Sequence, residues 1–276
     1  MFHFRCPVCA EALQRENSRW FCRNGHSYDI ARQGYVNLLM SNRSSSRRHG
    51  DDRAMVLART RFLERGYYEC LRARICALAV ENAGEEVCLV DAGCGEGWYT
   101  VGVKQALERS GKSCTACGVD ISRAALVQAA RRDRELFLAI ASVSSLPVPD
   151  GTADLLLNVF APASDGEFFR VLKPGGILIA ALPSEDHLFQ LKSAIYDRPY
   201  RNPKPEYSPE GFELLKREEI RGRIFLDSQE DIHNLFLMTP YYYKTGRADQ
   251  EKLERCLQLE TDIGFDVFVL RRKARP

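Results

Sequence analysis

The sequence lacks the long apolar run that a membrane-spanning helix requires. None of its apolar segments approaches the ~20 residues needed to cross a bilayer. The first ten residues, MFHFRCPVCA, also lack the basic start, apolar stretch and small-residue cleavage site of a secretory signal. No internal repeat is present. These absences argue against a membrane protein and a repeat scaffold, and we expect a cytoplasmic protein with no membrane partner.

Net charge is also small, because the 276 residues sum to only +2. The charge is unevenly distributed, however. Residues 1–74 contain 14 basic and 7 acidic residues, a net charge of +7, whereas the remainder carries a net charge of −5. A basic N-terminal part on an acidic body indicates a polyanionic partner. The length leaves room for one α/β domain and a small appendage.

Few of the ten cysteines have the spacing of a known motif. Cys6, Cys9, Cys22 and His26 form the pattern C-x2-C-x12-C-x3-H, which offers three thiolates and one imidazole to a tetrahedral Zn²⁺ ion. Four protein ligands leave no open position, so the pattern predicts one structural zinc ion per chain. A disulfide is the alternative for these cysteines. Cys114 and Cys117 also have CxxC spacing, but no second pair is near, and buried structural thiols are the simpler interpretation.

The order of apolar patterns predicts an α/β fold with a small N-terminal module. Residues 1–37 are too few and too polar to fold without the metal, 38–53 form a basic Ser/Arg linker, and 54–276 form the main domain. Within the main domain, two helices broken near Gly66 precede a regular alternation of strands and helices. Continuous apolar strands separated by helices are typical of a parallel sheet covered on both faces.

A glycine turn, DAGCGEG, follows the apolar strand VCLVDAG. Gly93, Gly95 and Gly97 let the backbone approach a ligand where side chains would clash. Their GxGxG spacing differs from the GxGxxG of dinucleotide-binding proteins and favours S-adenosylmethionine over NAD. Asp120 ends the next strand, where a carboxylate can accept both ribose hydroxyls. The alternative for the turn alone is a packing device at the start of a helix.

Several motifs together resemble the bacterial 23S ribosomal RNA (guanine-N1)-methyltransferase family. They are the zinc pattern, GYVNLL, ARTRFLERGYY, CGEGWYT, FAP, HLFQLKSAIY and MTPYYYK, which span nearly the whole chain. Two further stretches, SVSSLPVPDG and VLKPGG, resemble class I methyltransferases in general. The resemblance implies a class I methyltransferase fold, Rossmann-like, with a mostly parallel seven-stranded sheet and an N-terminal zinc module that recognises RNA. It also implies methylation of a guanine in a 23S rRNA hairpin. The predicted cofactor-binding residues are Asp91, Gly93, Gly95, Glu96, Gly97, Tyr99, Thr100, Asp120 and Ser142.

Four residues are candidates for positioning the target base: Asn158, Phe160, Pro162 and His187. The first three end a strand at the carboxyl edge of the sheet, where open α/β sheets bind ligands. Strand-end packing is the alternative for them, and an exposed position beside a helix start is the alternative for His187. No residue is identified as the base that removes the proton from guanine N1.

Two further sets of residues could contact RNA. Arg43, Arg47, Arg48 and Arg53 could bind phosphates, or could simply be a solvated loop. Tyr241, Tyr242 and Tyr243 could stack on unpaired bases, or could alternate between core and surface.

Two other functions fit the sequence less well. One is methylation of a small molecule, with the zinc module used for dimerisation. The other is a zinc-containing nucleic-acid-binding protein that senses S-adenosylmethionine without transferring a methyl group. A homodimer is expected in the first case and is compatible with the RNA methyltransferase.

Overall fold

A computed structural model of the chain describes residues 2–40 and 50–274. The predicted contacts of Arg43, Arg47 and Arg48, and most of the predicted linker, lie outside these residues. The strands are β1 (Gln14–Glu16), β2 (Arg19–Phe21), β3 (Ser27–Asp29), β4 (Tyr35–Asn37), β5 (Glu86–Ala92), β6 (Ser113–Asp120), β7 (Phe137–Ile140), β8 (Ala153–Val159), β9 (Leu172–Pro183), β10 (Phe212–Leu226) and β11 (Leu259–Arg272). The helices are α1 (Arg53–Glu64), α2 (Glu69–Asn82), α3 (Trp98–Arg109), α4 (Arg123–Arg132), α5 (Asp165–Val171), α6 (Phe189–Ile195), α7 (Gln229–Leu237) and α8 (Arg247–Glu254).

One large sheet contains eight strands in the order β10-β11-β9-β8-β5-β6-β7-β4. The six strands from β9 to β4 are parallel, whereas β11 pairs antiparallel with both β9 and β10. The predicted α/β class and mostly parallel sheet are therefore confirmed. The predicted count of seven strands is wrong by one, because β4 adds to the edge through the register Tyr35 with Leu138.

Alternate residues along each central strand face opposite layers, as the pleat of a strand requires. In β8, Leu155 and Leu157 pack with α2, α3 and α6, and Leu156 packs into the second layer with α5. Side chains cap the starts of α1, α4 and α7. Asp52 accepts a hydrogen bond from the Met55 amide at the start of α1, and Ser122 does the same for Ala125 at α4.

The N-terminal module covers part of the second face of the large sheet. Its own antiparallel sheet, β1-β2-β3, carries Trp20 against the ring of Phe4 at 5.1 Å, and both rings lie near Phe137 of β7. Phe4 and Leu13 are fully buried in the same core cluster as Val90 and Leu156. The module and the large sheet therefore share one apolar core. The division into residues 1–37, 38–53 and 54–276 stays a prediction.

Candidate cofactor cleft and metal site

The glycine turn lies at the carboxyl end of β5, where the parallel strands open a cleft of about 520 Å³. All three glycines have positive φ angles of 88°, 55° and 75°, which L-residues rarely adopt. Gly93 also leaves no room for a side chain, since a Cβ there would collide with that of Ala161. Gly97 differs from the other two, because it packs against Ala129 of α4 and precedes α3. Its position fits helix packing better than ligand contact.

Asp91 is a buried carboxylate in the cleft with one oxygen paired and the other unpaired among the described residues. It is 1% exposed, and Oδ2 accepts a hydrogen bond from Thr100 Oγ1 at 2.5 Å. Its other oxygen, Oδ1, is buried and has no partner among the described residues. Burial raises the pKa of Asp91 to about 7, and the nearby charges of Asp120 and Glu96 add to this effect. A buried, unpartnered carboxylate oxygen in a cleft fits a cationic ligand group such as an ammonium or sulfonium.

Asp120 ends β6 on the opposite side of the turn. Its Oδ2 accepts from the amide of Gly95 at 2.9 Å, and its Oδ1 accepts from the amide of Ser122 at 2.7 Å. Burial nevertheless raises the pKa of Asp120 above its usual range. The two amides fix the carboxylate and leave lone pairs for a diol. Ser142 lines the far end of the cleft, where its hydroxyl bonds that of Ser144 at 2.8 Å.

Glu96 lies in an ion-pair cluster. Arg59 of α1 donates from Nε to Glu96 Oε2 at 2.7 Å and from Nη1 to Asp51 Oδ2 at 2.5 Å. These two carboxylates raise the pKa of Arg59 although burial opposes them. The guanidinium also lies against Gly95. Arg59 is thus a lining residue that the sequence motif ARTRFLERGYY contained but did not identify.

Tyr99 completes the lining on the α3 side. Its ring is largely buried, and its hydroxyl has no hydrogen-bond partner among the described residues. Together with Asp91, it gives the cleft two unsatisfied polar groups. Of the nine predicted cofactor-binding residues, seven line the cleft, while Gly97 packs behind the turn and Thr100 supports Asp91.

The predicted base-positioning residues at the end of β8 fall into two kinds. Asn158 is buried, and its Nδ2 donates to the carbonyls of Ala92 at 3.0 Å and Pro162 at 3.3 Å. It thereby ties the end of β5 to the loop that follows β8. Phe160 has a φ angle of 55°, which a bulky residue rarely adopts, and its ring is 41% exposed at the cleft. Strained backbone of this kind clusters at active sites and ligand-binding sites, so the exposed ring is a candidate for contact with the substrate.

His187 lies behind Phe160 and does not line the cleft. The Gly264 amide donates to Nδ1 at 3.2 Å, and Nε2 is 3.2 Å from the Tyr68 hydroxyl. Because Nδ1 accepts, the ring proton of the neutral imidazole is on Nε2 and points to Tyr68. Burial, with the nearby cation of Lys192, lowers the pKa of His187 to about 3. The geometry suits a neutral positioning residue.

Aromatic contacts connect this pair to the cleft. The Phe160 ring lies 6.4 Å from both Tyr68 and His187 and 5.6 Å from Phe265. Burial keeps the pKa of Tyr68 well above its usual value. Tyr68 is the second residue that the sequence did not single out, since its partner lies 119 positions away.

The predicted metal ligands converge at one point. One ligand atom from each of Cys6, Cys9, Cys22 and His26 lies within 4.8 Å of the others. Cys22 Sγ is 3.6 Å from Cys9 Sγ and 3.3 Å from His26 Nδ1, as expected around a tetrahedral zinc ion with bonds of about 2.0–2.3 Å. A hydrogen bond from the backbone of Glu11 is the main cause that lowers the pKa of Cys9 to about 6. All ten cysteines are free, which removes the disulfide alternative.

The tyrosine run lies away from the cleft lining. Tyr241 donates to Asn202 Oδ1 at 3.3 Å, and Tyr242 packs on Phe236 at 5.4 Å. Tyr243 is 59% exposed and donates to Asp52 at 2.8 Å. Tyr241 and Tyr242 are thus partly buried and Tyr243 is exposed, so the run does not alternate between core and surface, and a contact with RNA stays a prediction for Tyr243. Across the described residues, no helix is both long and apolar enough to span a membrane.

Two protein-family profiles match the chain. The family described as RlmA, N-terminal, a zinc ribbon, matches residues 4–47, and the family described as methyltransferase domain matches residues 89–176. The first contains the four metal ligands, and the second contains the glycine turn, Asp120 and the end of β8. These matches confirm the predicted zinc site and the S-adenosylmethionine-dependent domain.

Two relatives match most or nearly all of the chain. A Streptomyces fradiae protein named 23S rRNA (guanine(748)-N(1))-methyltransferase is 36% identical over 82% of this chain and 80% of its own. A Bacillus subtilis (strain 168) protein, YxjB, is provisionally named a 23S rRNA (guanine-N(1)-)-methyltransferase and is 29% identical over 96% of both chains. Among solved structures, a provisionally assigned type II methyltransferase from Anaeromyxobacter dehalogenans covers 73% of this chain and 95% of its own, with a TM-score of 0.50 at 16% identity. This structural likeness supports the fold alone.

Proposed function

Because the chain belongs to the 23S rRNA (guanine-N1)-methyltransferase family, we propose that it transfers the methyl group of S-adenosylmethionine to N1 of a guanine in a hairpin of 23S ribosomal RNA. The observation that carries this proposal is the cleft itself. It has an unpartnered buried carboxylate oxygen on Asp91 at one side and an exposed, backbone-strained ring of Phe160 at the other. The first suits the cationic donor and the second suits an unpaired base.

The donor is held by residues on both sides of the glycine turn. Asp91 Oδ1 would face the cationic methionine part, Asp120 would accept the ribose hydroxyls, and Ser142 would lie beside the adenine. Thr100 keeps the Asp91 carboxylate oriented. When bound, S-adenosylmethionine supplies an electrophilic methyl group and a neutral thioether as leaving group. Positioning is therefore the main task of the protein.

The target base would enter beside Phe160 and stack on its ring. Stacking on aromatic side chains is the usual way in which proteins hold an unpaired RNA base. Asn158 fixes the loop of Pro162 against β5, and the pair Tyr68–His187 supports the ring from behind. These contacts would hold N1 of the base in line with the methyl group.

The proton on guanine N1 must leave before or during transfer. Each carboxylate group in the cleft lining has a hydrogen-bond partner among the described residues, and the unpartnered oxygen of Asp91, Oδ1, would face the cationic part of the donor. Asp51 and Glu96 bind Arg59, Asp120 accepts two amides, and Asp91 accepts from Thr100. We therefore infer that the proton passes to water as the base is aligned, without a dedicated side-chain base.

Incubation of the protein with unmodified 23S rRNA and methyl-labelled cofactor, followed by primer extension, tests the proposal. Methylation at N1 blocks the Watson–Crick edge, so label should appear together with one discrete stop. Label without a stop would place the methyl group on another atom. The absence of label in RNA would overturn the proposal and favour a small-molecule substrate.

Two finer points belong to the same proposal. With a ribosomal RNA substrate, the compartment that we propose for the chain is the cytoplasm. Light scattering in solution distinguishes a monomer of 31.3 kDa from a homodimer of twice that mass.

A further inference from the structure

A second pocket lies at the β4 edge of the large sheet, away from the cleft. It has a volume of about 600 Å³ and lies between the turn that precedes β4 and the end of α4. Its rim carries three exposed arginines, Arg32, Arg131 and Arg134. Its apolar lining consists of Val127, Ala130, Leu136 and Leu138. The pocket thus combines an apolar floor with a cationic rim.

The three guanidinium groups have no carboxylate partner within the described part of the chain. Arg131 has only a long hydrogen bond to Gln128, at 3.4 Å. The one acidic residue of the lining, Asp133, is already committed, because Oδ2 accepts from Lys104 at 2.8 Å and Oδ1 accepts from the amide of Glu135 at 2.8 Å. The pocket thus has a net positive charge that no side chain compensates.

Arg132 shows what a structural arginine looks like in the same helix turn. It points to the other side of α4, where it pairs with Glu64 at 3.1 Å and donates to the carbonyl of Glu96 at 2.9 Å. Its neighbours Arg131 and Arg134 have no such partners. The contrast indicates that the cationic rim is not needed to hold α4 in place.

Hydrogen bonds join the two backbone segments that carry the rim, although the rim side chains are exposed. The turn that carries Arg32 is closed by two backbone hydrogen bonds of 2.8 Å, from Gly34 to Ala31 and from Ala31 to Tyr35. The hydroxyl of Tyr35 accepts from Arg123 of α4 at 2.8 Å, which joins the turn to the helix. The backbone that carries Arg32 is therefore tied to the helix that leads to Arg131 and Arg134.

We propose that Arg32, Arg131 and Arg134 bind backbone phosphates of the RNA substrate as a second contact, remote from the reacting base. This rests on the proposed function, since it assumes an RNA substrate. Guanidinium groups bind phosphate oxygens in a bidentate manner, and the apolar floor can cover a ribose. From Leu136 at the pocket to Ser142 at the cleft, the chain advances roughly 20 Å along β7.

The test compares two triple variants that lose the same charge. R32Q/R131Q/R134Q removes the rim, and R109Q/R198Q/R255Q removes three other exposed arginines that line none of the pockets described above. RNA affinity is measured with an unmodified 23S rRNA fragment at several salt concentrations. Bound zinc and cofactor affinity show that each variant is folded.

The rim variant should bind the fragment about tenfold more weakly at physiological salt, and the slope of log affinity against log salt should fall by two to three, since each phosphate contact accounts for roughly 0.7–0.9. Its kcat at saturating RNA and its cofactor affinity should stay within about twofold of wild type. An unchanged salt slope, or an equal loss in the control variant, would overturn the inference while leaving the proposed reaction intact. A wild-type protein that methylates no RNA would instead overturn the proposed function.

Discussion

The hydroxyl of Thr100 lies 2.5 Å from Asp91 Oδ2 and leaves Oδ1 of the same buried carboxylate without a described partner. The pKa of Asp91 is about 7 in the free protein, because burial and the charges of Asp120 and Glu96 disfavour the anion. Below pH 7 the group is therefore largely neutral and attracts a cation poorly. As pH rises through 7, the carboxylate becomes charged.

The first prediction concerns this titration. The affinity for S-adenosylmethionine should rise roughly tenfold or more from pH 5.5 to 7.5, since nearly all of the Asp91 carboxyl is protonated at the lower value. Calorimetry on wild type and D91N measures it. The variant should bind weakly and almost independently of pH. A flat profile for wild type would contradict the assignment, and D227N, which changes an exposed carboxylate, is the control.

The second prediction concerns the ring of Phe160. F160A should raise the KM for RNA by tenfold or more, because stacking of one base contributes about 1–3 kcal/mol. Its affinity for S-adenosylmethionine should not change. F225A removes a phenylalanine that is 55% exposed on β10 and should leave KM unchanged.

Replacing Phe160 with glycine distinguishes the effect of losing the ring from the effect of the strained backbone. F160G relieves the φ angle of 55°, so it should melt at a higher temperature than F160A and yet have the same high KM. If F160G recovered wild-type KM, backbone conformation rather than stacking would be the function of this position.

The third prediction concerns the pair Tyr68–His187. Because the pKa of His187 is about 3, the imidazole stays neutral throughout pH 5–8. At saturating cofactor, kcat should show no inflection in this range from a histidine. Y68F leaves the Nε2 proton of His187 without its partner, which should cost roughly 1–3 kcal/mol of stability and lower kcat severalfold without changing the shape of the profile. A bell-shaped profile that Y68F shifts would instead make His187 an acid or base.

The fourth prediction concerns the metal. C9S should reduce bound zinc from one ion per chain to nearly none, because the remaining three ligands no longer close a tetrahedron. Since Phe4 and Trp20 pack in the same core as the large sheet, the melting temperature of the whole chain should fall with the zinc content. C70S, at an exposed cysteine, should change neither. Loss of zinc without loss of stability would mean that the module folds apart from the sheet.

Local patterns predicted much of this structure. Helix α3, Trp98–Arg109, follows the predicted glycine turn directly, because the turn defines its start and amphipathic spacing defines its length. The zinc ligands and the positive φ angles of the turn were likewise encoded within a few residues. Both features depend on residue types that lie close together in the sequence.

Other features depended on distant residues and could not be predicted from local pattern. Arg59 and Glu96 are 37 positions apart, and Tyr68 and His187 are 119 apart, so neither pair leaves a spacing motif. The three residues of β4 include an exposed asparagine and have no apolar run of their own. Only pairing with β7 makes them a strand, which is why the predicted sheet had one strand too few.

The pairing of β4 with β7 also orders events during synthesis. Tyr35 leaves the ribosome about one hundred residues before Leu138, its partner in the sheet. The zinc ligands are all made long before β7 exists, so the metal can bind early while the apolar side of the module still has nothing to cover it. During that interval the metal is what keeps the module compact. Completion of the sheet then covers the apolar side of the module with β7.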